Sequence, residues 1–351
     1  MNPDTAVPLL YHHPHPFSLE AGGDLPELQI AYTATGLPPS EGGRVVWICH
    51  ALTANANPLE WWPGMVERGG VIDPDFDFIV CANVLGSCYG TTGPTSIDPR
   101  SGQPYLREFP EVTIRDMVSA HEALRRHLGI ERIDLAIGGS LGGQQVVEWA
   151  ITHQDVIERV CLLATNAQHS PWGIAFNQAQ RMALEADPTF VAGGLNGGAA
   201  GLEAARSIAM LSYRHYDAFQ QTQAEGSDEK LADYRAATYQ SYQGQKLRKR
   251  FNAWSYYVLS RAMDSHNVGR RRGGVPAALR QVKAESLVLS INSDVLFPVS
   301  EQELLARYIP SSQWRVFDSI FGHDGFLTEA AQISASLSAW LPQRVGLALK
   351  A

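Results

Sequence analysis

Ser140, near the middle of the chain, lies in the pattern Gly-x-Ser-x-Gly, between a short apolar run and a sequence typical of a helix. Gly138 and Gly142 allow the chain to reverse in little space, because a Cβ at either position would collide with the neighbouring strand or helix. Such a nucleophile elbow strains the backbone of its serine and lifts the hydroxyl towards the positive end of the following helix. The pattern therefore indicates nucleophilic chemistry at Ser140. A plain glycine-rich turn, such as one that holds a phosphate, is the alternative that this motif alone leaves open.

A serine hydroxyl is a poor nucleophile near neutral pH, so it needs a nearby base and a group that orients that base. Asp294 comes just after an apolar run, and His323 comes just before the last predicted helix. The order serine, acid, histidine is the one that accompanies this kind of elbow. We predict Ser140 as nucleophile, His323 as general base and acid, and Asp294 as the orienting carboxylate. Taken singly, Asp294 could instead cap a helix, and His323 could be an ordinary turn histidine.

Other histidines do not extend this set. His50 and His121 do not fit the order of the triad, and His12, His13 and His15 lack the helical His-x-x-x-His spacing of a metal site. We therefore expect no metal and no bound cofactor.

Acyl transfer through a serine also requires donors for the negative oxygen that forms on the reacting carbonyl. Leu52 follows the apolar run Val45–His50, at the end of a strand where α/β sheets place their ligands, and Leu141 directly follows Ser140. We predict that the backbone N–H groups of Leu52 and Leu141 form this oxyanion hole. The loop 85–96, rich in glycine, serine and threonine, follows another predicted strand at the same edge of the sheet; it could line the site or lie on the surface.

The elements that must position these residues alternate along the chain. Residues 112–128 have apolar side chains at helical spacing and precede Gly129, which predicts a helix. We expect residues 1–43 to contribute one strand, 28–33, at the antiparallel start of the sheet. Apolar runs typical of buried strands occur at 45–50, 77–84, 135–137, 159–165, 287–291 and 314–317. The alternation predicts an α/β fold with a mostly parallel, doubly wound sheet.

The pattern changes after residue 165. From about 170 to 280 there is little strand character and much helical spacing, interrupted by the glycine-rich stretch 193–201. A helical insertion at this point of the sheet would cover Ser140 as a lid. We predict an α/β-hydrolase core formed by residues 1–166 and 281–351, and a helical lid formed by residues 167–280.

Composition restricts the class of protein. The chain has 351 residues, 45% of them hydrophobic and 18% charged, which suits one large globular core with an insertion. Its net charge of −8 disfavours a general nucleic-acid binder. The four cysteines lie in or near apolar runs without Cys-x-x-Cys spacing, so we expect buried free thiols. Residues 1–10 lack the features of a leader, and no apolar run is long enough to span a membrane, so we expect a cytoplasmic protein.

Longer motifs make the chemistry more specific. They occur at His50–Thr53, Asn83–Pro99, Phe109–Val118, Gly138–Ala150, Ile174–Asn177, Gly201–Arg206 and Gly322–Leu327. Together they resemble the homoserine O-acetyltransferase family of methionine biosynthesis, over about residues 28–340. Two departures are visible: Leu141 stands where the family usually has methionine, and Asn252 stands where aspartate is common.

The resemblance implies a two-step transfer of an acetyl group from acetyl-CoA, as co-substrate, to the side-chain hydroxyl of L-homoserine. It also implies that Arg206 binds the α-carboxylate of the amino acid and that Asp324 binds its α-ammonium group. A planar guanidinium binds a carboxylate bidentately and a carboxylate pairs with an ammonium ion, so the residue types suit these roles. Without the resemblance, Arg206 would be interpreted as an exposed helix arginine. A homodimer is implied in the same way.

Several alternatives remain open at this stage. The donor could be succinyl-CoA, the acceptor could be serine, or water could be the acceptor in an esterase. A binding protein without catalysis on the same scaffold would have no need of all three triad residues. The basic runs Lys246–Arg250 and Gly269–Gly273 could attract the phosphates of CoA, or they could be solvated charges.

Overall fold

The computed structural model describes residues 8–343. Within them the strands are β1 Leu9–His12, β2 Phe17–Ser18, β3 Asp24–Leu25, β4 Gln29–Gly36, β5 Arg44–Cys49, β6 Asp77–Ala82, β7 Ile97–Asp98, β8 Gln103–Pro104, β9 Leu135–Gly139, β10 Arg159–Leu163, β11 Glu285–Ile291 and β12 Ser312–Phe317.

The α-helices of the same range are α1 Pro58–Trp61, α2 Ile114–His127, α3 Leu141–Thr152, α4 Pro171–Glu185, α5 Pro188–Val191, α6 Ala199–Tyr213, α7 Tyr216–Gln223, α8 Arg235–Arg248, α9 Ala253–Asp264, α10 Val275–Leu279, α11 Val299–Tyr308, α12 Gly325–Thr328 and α13 Ala330–Trp340. Short 3-10 helices occur at Pro39–Glu41, Leu106–Glu108 and Gly322–Asp324.

A mostly parallel sheet organises the described chain. Its strand order is β1-β4-β6-β5-β9-β10-β11-β12. Strand β4 is antiparallel to its neighbours β1 and β6. The six strands β6, β5, β9, β10, β11 and β12 are parallel to one another. The nucleophile strand β9 lies between β5 and β10, so its carboxyl end is at the centre of one edge. Both the α/β prediction and the mostly parallel sheet are confirmed.

Helices cover both faces of this sheet. On strand β9, Ala136 belongs to one apolar cluster, together with residues of α2, α3 and α11. Its neighbours Leu135 and Ile137 belong to a second cluster on the opposite face, which includes residues of α13. This alternation follows from the two-residue period of a strand and explains why β9 is apolar without interruption.

The N-terminal region departs from the prediction of a single strand. The expected strand is β4, but β1 pairs with it, and β2 and β3 form a small separate hairpin. Strand β1 buries only one of its side chains, so its sequence lacks the apolar alternation that would have marked it. Residues 1–7 of the segment in which no leader was predicted lie outside the described residues.

The segment between β10 and β11 is helical, as predicted, and contains α4 to α10. Several of its apolar side chains, among them Leu184 and Leu202, belong to the apolar cluster that contains Ala136 of strand β9. The insertion is therefore packed onto the core through shared apolar side chains.

All four cysteines are free thiols, and Cys49, Cys81 and Cys161 are buried in the core. In residues 8–343 no helix combines the length and the apolar character that crossing a membrane requires.

Candidate active site

Ser140 lies in the tight turn between β9 and α3, with backbone angles φ 57° and ψ −125°. This left-handed φ is unfavourable for a residue with a side chain and typically costs about 1–3 kcal/mol. A Cβ on Gly138 would lie 2.4 Å from the carbonyl carbon of Gly142, and a Cβ on Gly142 would lie 2.0 Å from the carbonyl oxygen of Cys49. The steric reason predicted for both glycines is therefore confirmed: one makes room for the helix and the other for the neighbouring strand.

Main-chain and side-chain bonds hold this strained turn in place. The N–H of Ser140 donates to the carbonyl of Leu163 (3.0 Å), and the carbonyl of Ser140 accepts from the N–H of Gln144 (3.1 Å). The same carbonyl accepts from the Thr165 hydroxyl (2.8 Å). Ser140 itself is buried. The surrounding structure thus compensates for the strain and keeps the serine in one conformation.

Asp294 and His323 form a buried acid–base pair. Nδ1 of His323 lies 2.7 Å from Oδ2 of Asp294, and Oδ1 of Asp294 accepts from the N–H groups of Leu296 and Phe297, both at 2.9 Å. The ring of Phe297 stacks on the imidazole at 4.9 Å, with 22° between the planes. An ionised Asp294 therefore holds the proton of His323 on Nδ1.

The other imidazole nitrogen is available for proton transfer. Nε2 of His323 is buried and has no hydrogen-bond partner among the described residues, so it is not hydrogen-bonded to Ser140 in this structure. A buried polar atom without a partner is rare in folded proteins and often belongs to a catalytic site. With Nδ1 protonated, Nε2 presents a lone pair that can accept the hydroxyl proton of a nucleophile.

The two predicted oxyanion donors are both without an acceptor. Leu141 is the first residue of α3, and Leu52 lies in the turn after β5. Neither N–H donates to an oxygen or nitrogen of residues 8–343. They can therefore donate to an oxygen of a bound acyl group, although that role stays a prediction.

His50 anchors the loop that carries Leu52. Its ring is buried, with Nδ1 2.8 Å from the carbonyl oxygen of Ala51 and Nε2 accepting from the N–H of Val84 (3.0 Å). Burial lowers the pKa of His50 to about 4, so the ring is neutral near pH 7 and can accept and donate at once. The loop 85–96 directly follows Val84 and most of its residues are buried, so it packs next to the loop that carries Leu52 instead of lying on the surface.

Of the two residues predicted to bind an amino acid, Asp324 directly follows His323 in the chain, and Arg206 is connected to the His323 ring through Tyr213. Arg206, on α6, is half-buried and has no carboxylate partner within residues 8–343; its guanidinium carbon lies 5.1 Å from the ring of Tyr213. Tyr213 in turn lies 5.8 Å from the imidazole of His323. An arginine without a counter-ion, half-buried beside the acid–base pair, is suited to bind a carboxylate.

Asp324 already has a cationic partner, which the sequence analysis missed. Nε of Arg214, the residue directly after α6, lies 2.7 Å from Oδ2 of Asp324. Arg214 also stacks over the ring of Phe321 at 5.5 Å. No local sequence pattern marks this pair, because Arg214 and Asp324 lie far apart in the chain and meet only in the folded protein.

Comparison with known proteins places this geometry in a family. A family model described as alpha/beta hydrolase fold matches residues 44–330. A homoserine O-acetyltransferase from Cyclobacterium marinum is 46% identical over 329 residues, which cover 94% of this chain and 93% of that protein. The chain belongs to the homoserine O-acetyltransferase family.

Solved structures share the fold. The crystal structure of a homoserine O-acetyltransferase from Bacillus anthracis has a TM-score of 0.87 at 21% identity, covering 97% of this chain and 100% of that one. An acetylester hydrolase from Corynebacterium glutamicum has a TM-score of 0.84 at 24% identity, covering 95% of each chain. At these identities the likeness concerns the fold alone, and this homoserine O-acetyltransferase family member shares its fold with esterases.

The two basic runs differ in what they contact. Arg270 and Arg272 form ion pairs with Glu20 (2.8 Å) and with the buried Glu148 (2.5 Å), so these two arginines stabilise the fold. Arg250 instead donates to the carbonyl of Thr53 and, at 3.2 Å, to its hydroxyl. Arg250 therefore connects the helical insertion to the loop that follows Leu52.

The described residues contain no group of three or more histidine, cysteine or carboxylate side chains that could hold a metal ion.

Of the two departures from the family pattern, Asn252 caps α9, since its side-chain oxygen accepts from the N–H of Trp254 (2.9 Å). Leu141 is fully buried in the core, and the role of its backbone N–H as an oxyanion donor stays a prediction.

Proposed function

We propose that this protein transfers an acetyl group from acetyl-CoA to the side-chain hydroxyl of L-homoserine, through an acyl-serine intermediate at Ser140. The observation that carries the choice of substrates is the 46% identity, over 94% of the chain, to a protein named homoserine O-acetyltransferase. The chemistry is supported by the 2.7 Å contact between His323 and Asp294 and by the unpartnered Nε2.

In the first step Nε2 of His323 takes the hydroxyl proton of Ser140, and Oγ attacks the thioester carbonyl of acetyl-CoA. The N–H groups of Leu52 and Leu141 stabilise the negative oxygen of the tetrahedral intermediate; one such donor typically contributes about 10²–10³ in rate. The intermediate collapses as the C–S bond breaks, and the thiolate of CoA receives the proton from Nε2. Asp294 stabilises the imidazolium that forms between these proton transfers.

In the second step the same nitrogen takes the proton of the homoserine hydroxyl, which attacks the acetyl carbonyl on Ser140. The bond from the carbonyl carbon to Oγ breaks, and the proton on Nε2 of His323 returns to Oγ. The enzyme is restored and O-acetylhomoserine leaves.

Two residues near His323 support an amino acid as the acceptor. Arg206 would bind the α-carboxylate, because it is half-buried and has no carboxylate partner among the described residues. Asp324 would bind the α-ammonium group while Arg214 holds its other side, at 2.7 Å. Transfer to this acceptor also requires that water stays away from the acyl-serine, and the helices of the insertion would provide that protection.

The deciding experiment is a panel of acetyl-, succinyl- and propionyl-CoA, each with homoserine, with serine and without an acceptor. Free thiol and the new ester are measured together. We expect thiol release and ester formation with acetyl-CoA and homoserine. Thiol release without an acceptor would indicate a hydrolase, and a preference for succinyl-CoA or serine would change the substrate assignment. An acetyl adduct that survives Ser140→Ala in mass spectrometry would exclude Ser140 as the nucleophile.

We further propose that the protein is a cytoplasmic homodimer. Free thiols suit a reducing compartment. Large apolar side chains exposed on the insertion, among them Met182, Leu211 and Tyr216, support a second copy as their partner. Sedimentation equilibrium measures the mass directly, and a monomer at micromolar concentration would contradict the dimer.

A further inference from the structure

Two consecutive residues after β10, Thr165 and Asn166, connect the nucleophile elbow to helix α11, which follows the loop of Asp294. The hydroxyl of Thr165 donates to the carbonyl of Ser140 (2.8 Å). The side-chain oxygen of Asn166 accepts from Nε2 of Gln144, in the first turn of α3, at 3.0 Å. Both residues are buried, so these bonds are shielded from water.

Asn166 and Thr165 also form hydrogen bonds with two residues of helix α11. Nδ2 of Asn166 donates to Oε2 of Glu301 at 2.9 Å, and Nε2 of Gln302 donates to the carbonyl of Thr165 at 2.6 Å. Glu301 lies in the first turn of α11. We call the four residues Thr165, Asn166, Glu301 and Gln302 the elbow clamp.

Helix α11 directly follows the loop that carries the acid of the predicted triad. Gln302 also donates to the carbonyl of Phe297 (3.3 Å), and the N–H of Phe297 donates to Asp294 (2.9 Å). Phe297 stacks on the ring of His323. The elbow clamp therefore connects the nucleophile turn on one side with the aspartate, the stacking ring and the imidazole on the other.

We propose that Glu301 is a positioning residue for acyl transfer: it holds Asn166, and through Asn166 the nucleophile helix, against the loop of Asp294, and places a second carboxyl group beside the acid–base pair. The inference rests on the proposed acyl-serine chemistry and adds to it a residue outside the triad. Glu301 does not touch the reacting atoms; it acts through Asn166 and through its charge.

The charge of Glu301 is set by its surroundings. Its pKa is raised to about 7: burial is the largest cause and the charge of Asp294 adds to it, whereas hydrogen bonds from Asn166 and Ser170 and the charge of His323 partly oppose the rise. The titratable groups that face it are Asp294, on the acid loop, and His323, on the 3-10 helix; the segment after β10 presents the uncharged Asn166 and Ser170.

The direction of the effect on His323 follows from Coulomb's law. An ionised Glu301 favours the imidazolium form, and a neutral Glu301 does not.

The test compares Glu301→Gln, Glu301→Ala and, as a control on the exposed side of α11, Glu303→Gln. Glutamine keeps an oxygen for Asn166 but removes the charge, whereas alanine removes both. The probe is p-nitrophenyl acetate, because acylation of Ser140 by this ester needs only the elbow and the acid–base pair. The acylation rate constant and its pH profile are measured, together with the melting temperature of each variant and the rate of acetyl transfer from acetyl-CoA to homoserine.

We expect Glu301→Gln to shift the acid limb of the acylation pH profile to lower pH, on the order of half a unit, because the charge that favours the imidazolium form is lost. Glu301→Ala should lower the acylation rate constant about tenfold or more, because the elbow loses its support, and Glu301→Gln should restore most of that loss above pH 8. Glu303→Gln should match the wild-type protein.

An unshifted profile in Glu301→Gln would overturn the inference, as would an acylation rate in Glu301→Ala equal to that of Glu303→Gln. If the Glu301→Ala protein does not fold, the acylation pH profile of Glu301→Gln by itself decides whether the inference holds. Failure of the wild-type protein to acetylate homoserine, with Ser140 still acylated by the ester, would overturn the substrate assignment and leave the role of Glu301 intact.

Discussion

Replacing Asp294 by asparagine changes one atom of the acid–base pair and leaves its shape intact. Oδ1 of Asp294 accepts two backbone N–H groups at 2.9 Å, and only Oδ2 contacts His323, at 2.7 Å. An asparagine at 294 keeps the two backbone bonds with its carbonyl oxygen and therefore turns its NH2 group towards Nδ1 of His323. Since NH2 is a donor, Nδ1 must become an acceptor, and the imidazole proton moves to Nε2.

This change of tautomer removes the base. With a proton on Nε2, His323 cannot take the hydroxyl proton of Ser140, and the imidazolium of the transition state loses its neighbouring negative charge. The corresponding substitution in a Ser-His-Asp site lowers kcat by about 10⁴, and we expect a similar loss here. It corresponds to about 5.5 kcal/mol of transition-state stabilisation.

The assay is the acylation rate constant of Ser140 with p-nitrophenyl acetate and with acetyl-CoA, for the wild-type protein, Asp294→Asn and Ser140→Ala. The melting temperature should change little in Asp294→Asn, because the backbone bonds of the loop are kept. A folded Asp294→Asn protein with an acylation rate within tenfold of wild type would refute the reasoning. It would mean that another group holds the proton of His323 on Nδ1.

Three further substitutions test other parts of the site. Gly142→Ala should lower the free energy of unfolding in urea by about 3 kcal/mol or more, because its Cβ would lie 2.0 Å from a main-chain oxygen that cannot move aside. Gly226→Ala, which meets nothing within 4 Å, is the matched control and should be nearly neutral. Arg206→Ala should raise the KM for homoserine about tenfold to a hundredfold with little change for acetyl-CoA, and equal effects on both would discredit its role. Arg214→Met should raise the KM for homoserine about threefold to tenfold, because Asp324 keeps its charge but loses the guanidinium that orients it, and an unchanged KM would show that Asp324 needs no such support.

The features that were predicted correctly are local in the chain. The elbow requires two glycines around Ser140, and their steric reason lies within a few residues and one neighbouring strand. The central strands were found because both of their faces are buried, which produces unbroken apolar runs. Strand β1 was missed for the opposite reason, since most of its side chains are exposed and its pairing depends on β4.

By itself, the sequence determined the fold class, the candidate nucleophile and the order of the triad residues, because spacing and residue type encode them. The partners of those residues outside the triad were decided only by the tertiary structure. The pairing of Asp294 with His323 was expected from the order of the triad, but the pairing of Glu301 with Asn166, 135 residues apart in the chain, was not. No local pattern marks such pairs, because the contact exists only when parallel strands bring their carboxyl ends to one edge of the sheet. The ion pair between Arg214 and Asp324 arises in the same way, since the insertion must fold over the sheet before a helix end can reach the loop of the histidine.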